Sequence, residues 1–152
     1  MENLWMCVNN LPALIPLYRS YMYKDRITCG TILYVSSMSA ISHLLENHKH
    51  GMPGFFNSSS NLSYFFNRLD VIGSGLTIFR FAYLYYEKYG FNINQLINNY
   101  QLIIITVLSF SCLRISEYDQ YNSDLKNRYI LFHSLWHLSI YSIMDYFLKI
   151  IY

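Results

Sequence analysis

The sequence predicts an all-α protein, an integral membrane bundle of about five transmembrane helices, and three observations lead there. Hydrophobic residues make up 53% of the 152 residues and charged residues only 13%, where soluble domains carry about 25% charged. The apolar residues form continuous stretches close to the ~20 residues a helix needs to cross a bilayer core, without the alternation of a membrane β-barrel strand. Aromatic residues crowd the ends of those stretches, as in Tyr83, Tyr85, Tyr86 and Tyr89, which is the pattern of interfacial belts.

Taken in order, the first segment, residues 4–23, contains Asn9, Asn10, Pro12, Pro16 and Arg19. It is expected to span with a kink or to lie along the interface. The second, 27–45, is uninterrupted and ends in Glu46-Asn47-His48-Lys49-His50-Gly51; Pro53-Gly54 and the Ser/Asn-rich run to Ser63 read as a loop. The third, 69–86, closes at Glu87-Lys88-Tyr89-Gly90, and the fourth covers 97–113. After a polar stretch from Arg114 to Arg128, the fifth covers 129–150. Short connections make neighbouring helices antiparallel, and the length fits a single domain. The start has no basic n-region followed by a small-residue cleavage site, so the membrane segments are expected to be permanent.

A net charge of +2 with no Lys/Arg run excludes nucleic acid as a partner. Membrane lipid is the expected partner, and no protein partner is indicated. Lys and Arg are spread evenly over the two predicted faces, so the positive-inside rule sets no orientation. Cys7, Cys29 and Cys112 are odd in number and far apart, which fits neither a disulfide framework nor a CxxC metal site. Asn57-Ser58-Ser59 and Asn61-Leu62-Ser63 match the glycosylation triplet.

Ionisable residues inside spanning segments are costly and tend to mark functional sites. Here they are His43, Asp70, Arg80, His133, His137 and Asp145. His133 and His137 are spaced i, i+4, which puts both imidazoles on one helix face. Alternating five helices across a membrane brings the end of the second, the start of the third and the start of the fifth to the same side. His43, Asp70, His133 and His137 therefore share one face, and Ser39, four residues before His43, points to the same place. Three neutral imidazoles suit Zn²⁺, which as a catalytic ion keeps a fourth position for water. Asp70 then orients that water or takes its proton, and Ser39 holds the water or polarises a substrate oxygen. The plainer readings are histidines bonding across helices, a carboxylate near a helix N-terminus, and a serine bonded back to its own helix. His48 and His50, as loop residues, are read as solvated, Arg80 as snorkelling or paired within the bundle, and Asp145 as an interhelical hydrogen bond.

Ser39-x-x-x-His43 late in one helix, Asp70 at the start of the next and His133-x-x-x-His137 in the last resemble the CREST superfamily. That superfamily includes alkaline ceramidases, progestin and adipoQ receptors, and the GPI-processing lipid hydrolases. Leu69-Asp70-Val71-Ile72-Gly73 is similar to the aspartate motif of the receptor branch, and His133-Ser134-Leu135-Trp136-His137 to the last-helix motif of the ceramidase and GPI-processing branches. The resemblance implies seven helices, three zinc-binding histidines and hydrolysis of a lipid amide or ester, whereas this sequence has room for five spans. The expected function is therefore a zinc-dependent membrane hydrolase of such a lipid, with Asp70 and Ser39 catalytic and His43, His133 and His137 holding the metal. The alternative is a non-catalytic membrane protein that binds lipid or a partner, with a structural metal or none.

Overall fold

Pro12 has no N–H to donate, and the two asparagines just before it compete for backbone partners, so the first apolar segment cannot continue as one helix. In the computed structural model, which describes residues 1–55 and 58–152, that segment divides into α1 (Glu2–Val8), a 3₁₀ turn (Leu11–Ala13) and α2 (Leu14–Met22). The asparagines at the break dock onto the last helix. Asn9 Nδ2 donates to Ser134 Oγ at 2.6 Å, and Asn10 Oδ1 accepts from the Tyr141 hydroxyl at 2.7 Å.

Asp25 caps α3 (Arg26–Leu45) by accepting from the Thr28 amide at 3.0 Å, the arrangement that satisfies an orphan N–H at a helix start. Its carboxylate also takes both contacts of Arg80 Nη2, at 2.8 and 2.9 Å, and the Tyr152 hydroxyl at 2.7 Å. The arginine read from the sequence as paired within the bundle therefore joins α3 to α4 (Ser60–Tyr89).

The sequence starts that next helix at Leu69, whereas the structure starts it at Ser60. Ser59 supplies the cap to the Leu62 amide at 3.3 Å, and the polar first turns face partners: Ser63 is fully buried, with its hydroxyl 2.6 Å from His48 Nδ1 and accepting from the Asn47 amide. The Ser/Asn-rich first turn to Ser63 reads as loop, and Asn67 and Arg68 separate Tyr64-Phe65-Phe66 from the apolar stretch that follows. Asn61 accordingly sits in a helix, and Asn57 lies outside the described residues. Gly90, at φ 62, ends α4 with the left-handed conformation that glycine supplies most easily. A short α5 (Ile93–Asn98), α6 (Tyr100–Ser116), a second 3₁₀ turn (Ser123–Leu125) and α7 (Lys126–Ile151) complete the chain. Among the described residues the protein is all-α, with seven helical segments in place of the five expected and no strand.

α3 packs antiparallel on α4 and α6 on α7, while α1 and α2 lie across α3 and α7. α4 and α6 scarcely touch, which leaves a cleft between the two hairpins. One apolar cluster, built around Ile32, Leu84, Tyr141, Met144 and Leu148, fills the end towards the C-terminus of α7, and a smaller one of Met6, Met52 and Tyr129 lies at the other end. Asp145 is paired with Arg19 and, at 3.0 Å, with Lys149, so it is an interhelical ion pair. Among the described residues, α3 is the one helix long and apolar enough to cross a membrane; α6 is apolar but only 17 residues. Serines, histidines, tyrosines and paired charges lower the hydropathy of α4 and α7, although both are long enough.

Gly73 marks the closest approach of α3 and α4. A Cβ there would lie 3.1 Å from the Tyr34 ring and 3.2 Å from Val35 Cα, whereas a Cβ at Gly75 would meet nothing. Gly73→Val should therefore destabilise the protein by about 1–3 kcal/mol through overpacking. Gly75→Ala should be neutral or stabilising by up to about 1 kcal/mol. Thermal unfolding of the two variants side by side checks this, and equal effects would remove the close-packing explanation.

Candidate metal centre

An imidazole can offer one nitrogen to a metal only if the other is satisfied elsewhere, and the fold arranges this for the two histidines whose Nδ1 contacts are defined. His43, in the last turn of α3, has Nδ1 3.2 Å from Glu46 Oε2. His133, in α7, has Nδ1 3.1 Å from Ser116 Oγ and 3.6 Å from Glu117 Oε1, both at the end of α6. His137 is one turn further along α7, and its Nε2 lies 3.1 Å from His43 Nε2. Ring centroids are 4.7 Å apart for His43 and His133, 5.2 Å for His43 and His137, and 5.0 Å for His133 and His137. One ligand nitrogen from each of the three lies within 4.8 Å of the others. All three rings are buried, at 1%, 5% and 4% exposure. Two nitrogens each about 2.0–2.1 Å from one tetrahedral ion would sit roughly 3.3 Å apart, so the His43–His137 separation suits a shared ion as well as it suits a hydrogen bond. Three buried histidines that could hold a metal ion are thus brought together from the positions read in the sequence.

Asp70 and Ser39 line the same cavity as the triad, a space of about 480 Å³ between α3, α4, α6 and α7. Asp70 sits ten residues into α4, not at its start, and it is not one of the nitrogen cluster. Ser39 is buried, faces Asp70, and has a hydroxyl without a hydrogen-bond partner in good geometry. The rest of the wall combines Val71, Ile78, Phe110, Ile140 and Met144 with Ser74, Thr77 and Tyr141. Cys7, Cys29 and Cys112 are free and take no part.

Four residues that sequence reading left out of the site complete the polar end. Glu46, the residue that ends α3, is fully buried, and its Oε2 also accepts from the Tyr129 hydroxyl at 2.6 Å. Burial pushes its carboxyl up, but hydrogen bonds from His43 and Tyr129 and the charge of Lys49 outweigh that and hold it at about 2. Its contribution to stability is therefore complete above its ordinary value and is lost only as pH falls towards about 2. Lys49 pairs with Glu117 at 2.8 Å and lies 3.8 Å from Glu46; burial lowers its ammonium, and the two carboxylates more than reverse this. The spacing His43-x-x-Glu46, which puts both side chains on one helix side, was the available signal for Glu46. Glu117 and Tyr129 carry no such local signal. Asn3 of α1 closes the end of α3 by donating to the carbonyls of His43 and Glu46 at 2.8 and 2.7 Å.

The two loop histidines are not solvated. His50 is 1% exposed, stacks on Tyr129 at 4.7 Å and has Nδ1 3.3 Å from the Asn122 carbonyl oxygen. His48 packs on Tyr64 and is bonded to Ser63; burial lowers its pKa. The loop folds back against α7 and α4, and neither ring joins the triad.

His133→Ala should remove most of any bound metal, because two imidazoles with one carboxylate nearby make a poorer site than three. Metal analysis of the purified variant beside the parent protein measures this, and unchanged stoichiometry would shift the ligand role to His48 or His50.

The chain is 50% identical over 149 residues to an uncharacterized protein of Acanthamoeba polyphaga mimivirus, an alignment covering 98% of this chain and 97% of the relative. No family model and no solved structure matches it. Identity at that level over nearly the whole of both chains means that this protein belongs to the family of the mimivirus protein.

Proposed function

We propose that the chain is a multi-pass membrane protein that holds zinc at His43, His133 and His137 and hydrolyses a lipid amide or ester. The observation that carries this reading is the shared cavity: the imidazoles, Asp70 and Ser39 line the same space as Val71, Ile78, Phe110, Ile140 and Met144. A pocket of about 480 Å³ is within the range that takes a small ligand, and this mixed lining matches a lipid whose scissile group is polar and whose chain is not.

The distribution of polarity supports the membrane. Among the described residues the interior holds more polar than apolar buried side chains, while Ile104, Val107, Leu108, Val71, Ile72 and Phe79 are exposed. Soluble proteins rarely expose contiguous apolar faces of this kind, whereas helices in lipid put polar and small residues between them. After an alkaline wash the protein should stay with membranes and come off only in detergent; recovery in the aqueous supernatant would sink the membrane reading.

Charge supports a divalent ion. The charged groups lining the cavity are Lys49, Asp70 and Glu117, and Glu46 touches His43. Three carboxylates and one ammonium leave a formal charge of −2 beside three neutral imidazoles, the amount one divalent cation cancels, and buried charge is costly unless compensated. Three nitrogen ligands favour zinc over harder ions.

When bound, zinc supplies an acidified water and a Lewis acid. The residues do the rest. Asp70, outside the nitrogen cluster, accepts the proton of the attacking water and returns it to the leaving amine or alcohol. Ser39, with its hydroxyl unspent on its own helix, donates to the substrate carbonyl oxygen as charge develops there. The resemblance to the CREST superfamily supports the same roles. The cleft between α4 and α6 favours a second reading, a non-catalytic protein with a structural metal, because an open wall encloses a substrate less completely than a preformed pocket does.

Asp70→Asn separates the two. For a hydrolase, the variant should keep its zinc and lose turnover of labelled ceramide or phospholipid, because the amide cannot take the proton. Loss of the metal together with helix packing would instead make Asp70 a structural ligand.

A further inference from the structure

His43 points Nδ1 at a carboxylate, His133 points its Nδ1 at the Ser116 hydroxyl with a second carboxylate just beyond hydrogen-bond distance, and one lysine lies between the two carboxylates. Glu46 Oε2 is 3.2 Å from His43 Nδ1, and Glu117 Oε1 is 3.6 Å from His133 Nδ1. Lys49 Nζ lies 2.8 Å from Glu117 Oε2 and 3.8 Å from Glu46 Oε1. An ionised carboxylate only accepts hydrogen bonds, so a ring nitrogen facing one must carry the proton and the opposite nitrogen must be left with its lone pair. The buried carboxylate thereby selects the tautomer that aims Nε2 at the shared centre, which is the outer-sphere arrangement that raises the basicity of metal-binding histidines.

The geometry points to Glu46 as the main positioning residue of the metal centre, with Lys49 and Glu117 as its extension towards His133. This rests on the metal-binding reading above. Glu46 outranks Glu117 for two reasons. Its side chain is completely buried where that of Glu117 is 24% exposed, and His133 has a second, nearer partner in Ser116. Tyr129 donates to the same Glu46 oxygen at 2.6 Å, which keeps that oxygen against the ring. Asn3, bonded to the carbonyls on both sides of the turn, fixes the backbone between His43 and Glu46. That leaves His137 as the ring that donates from Nε2 to His43 Nε2 at 3.1 Å, a proton it would have to give up for both nitrogens to serve one ion.

The test uses the full chain in detergent, with zinc titrated calorimetrically and ring protons located by ¹⁵N-histidine NMR of the metal-free protein. Wild type should show His43 as a single Nδ1–H tautomer. Glu46→Gln removes the charge and keeps the shape; it should weaken zinc binding about 10- to 100-fold, with helix content unchanged. Glu46→Ala should in addition give His43 a mixture of tautomers, and Glu117→Gln should weaken zinc binding less than Glu46→Gln does. Should the alanine variant fail to fold, the glutamine variant still decides. An Nε2–H tautomer at His43 in wild type, or zinc affinity unchanged in Glu46→Gln, would overturn the assignment. Failure of wild type to take up zinc would instead sink the metal reading, and the tautomers would then decide the role of Glu46 by themselves.

Discussion

Three imidazole rings share one small buried volume, and every ring nitrogen that does not face the centre must find a partner elsewhere. An unmatched buried polar group costs about 1–3 kcal/mol, so the rings cannot be placed without the groups that satisfy them. This requirement explains why four separate parts of the chain meet at one end of the molecule. The end of α3 brings His43 and Glu46, the end of α6 brings Ser116 and Glu117, the first half of α7 brings Tyr129, His133 and His137, and α1 brings Asn3 to close the exposed carbonyls of α3. The stretch after α3 is drawn in by the same demand at Lys49, the cation that sits between the two carboxylates.

The opposite end solves a different problem with different means. There the charges are matched in direct pairs: Asp25 with Arg80, and Asp145 with Arg19 and Lys149. Apolar side chains around Ile32, Leu84 and Leu148 fill the remaining space. Paired charges of this sort are weak evidence for stability and better evidence for register. Asp25 illustrates it, since one carboxylate holds the start of α3, Arg80 in the second half of α4 and Tyr152 just after α7. With the far end fixed in register, the histidines at the near end converge, and the cavity is what lies between.

The triad was legible in the sequence because its signal is local and periodic. His133 and His137 are one turn apart, Ser39 and His43 likewise, and the parity of helix crossings puts the pairs on one side. Parity survives an error in helix bounds, which is why an early start of α4 moved Asp70 ten residues into its helix without removing it from the cavity. What the sequence hid follows from the limits of an apolar search. The first turn of α4 is Ser/Asn-rich and helical because of a cap and a buried serine. The break at Pro12 was visible, but not the use of Asn9 and Asn10 as struts to α7. His48 and His50 read as solvated because loops usually are, and their burial depends on Tyr64 and Tyr129, which no local pattern ties to them. Glu117 and Tyr129 belong to the site only through tertiary contact.

The cleft between α4 and α6 is where the membrane reading and the chemistry bear on each other. A cleft of this kind in water would let solvent reach Asp70 and the triad, and it would leave Val71 and Phe110 as wetted apolar walls. In lipid the same cleft needs no further helix to close it. In the proposed membrane setting, acyl chains would dry the apolar wall of the cleft, while Lys49 and Glu117 would keep the histidine end in reach of water. The proposed hydrolase would then need few long helices to hold a lipid chain and still wet the bond it breaks. In that proposal the cleft would be the route by which a substrate enters sideways, along Val71, Ile78 and Phe110, to reach the histidines beside Asp70 and Glu117.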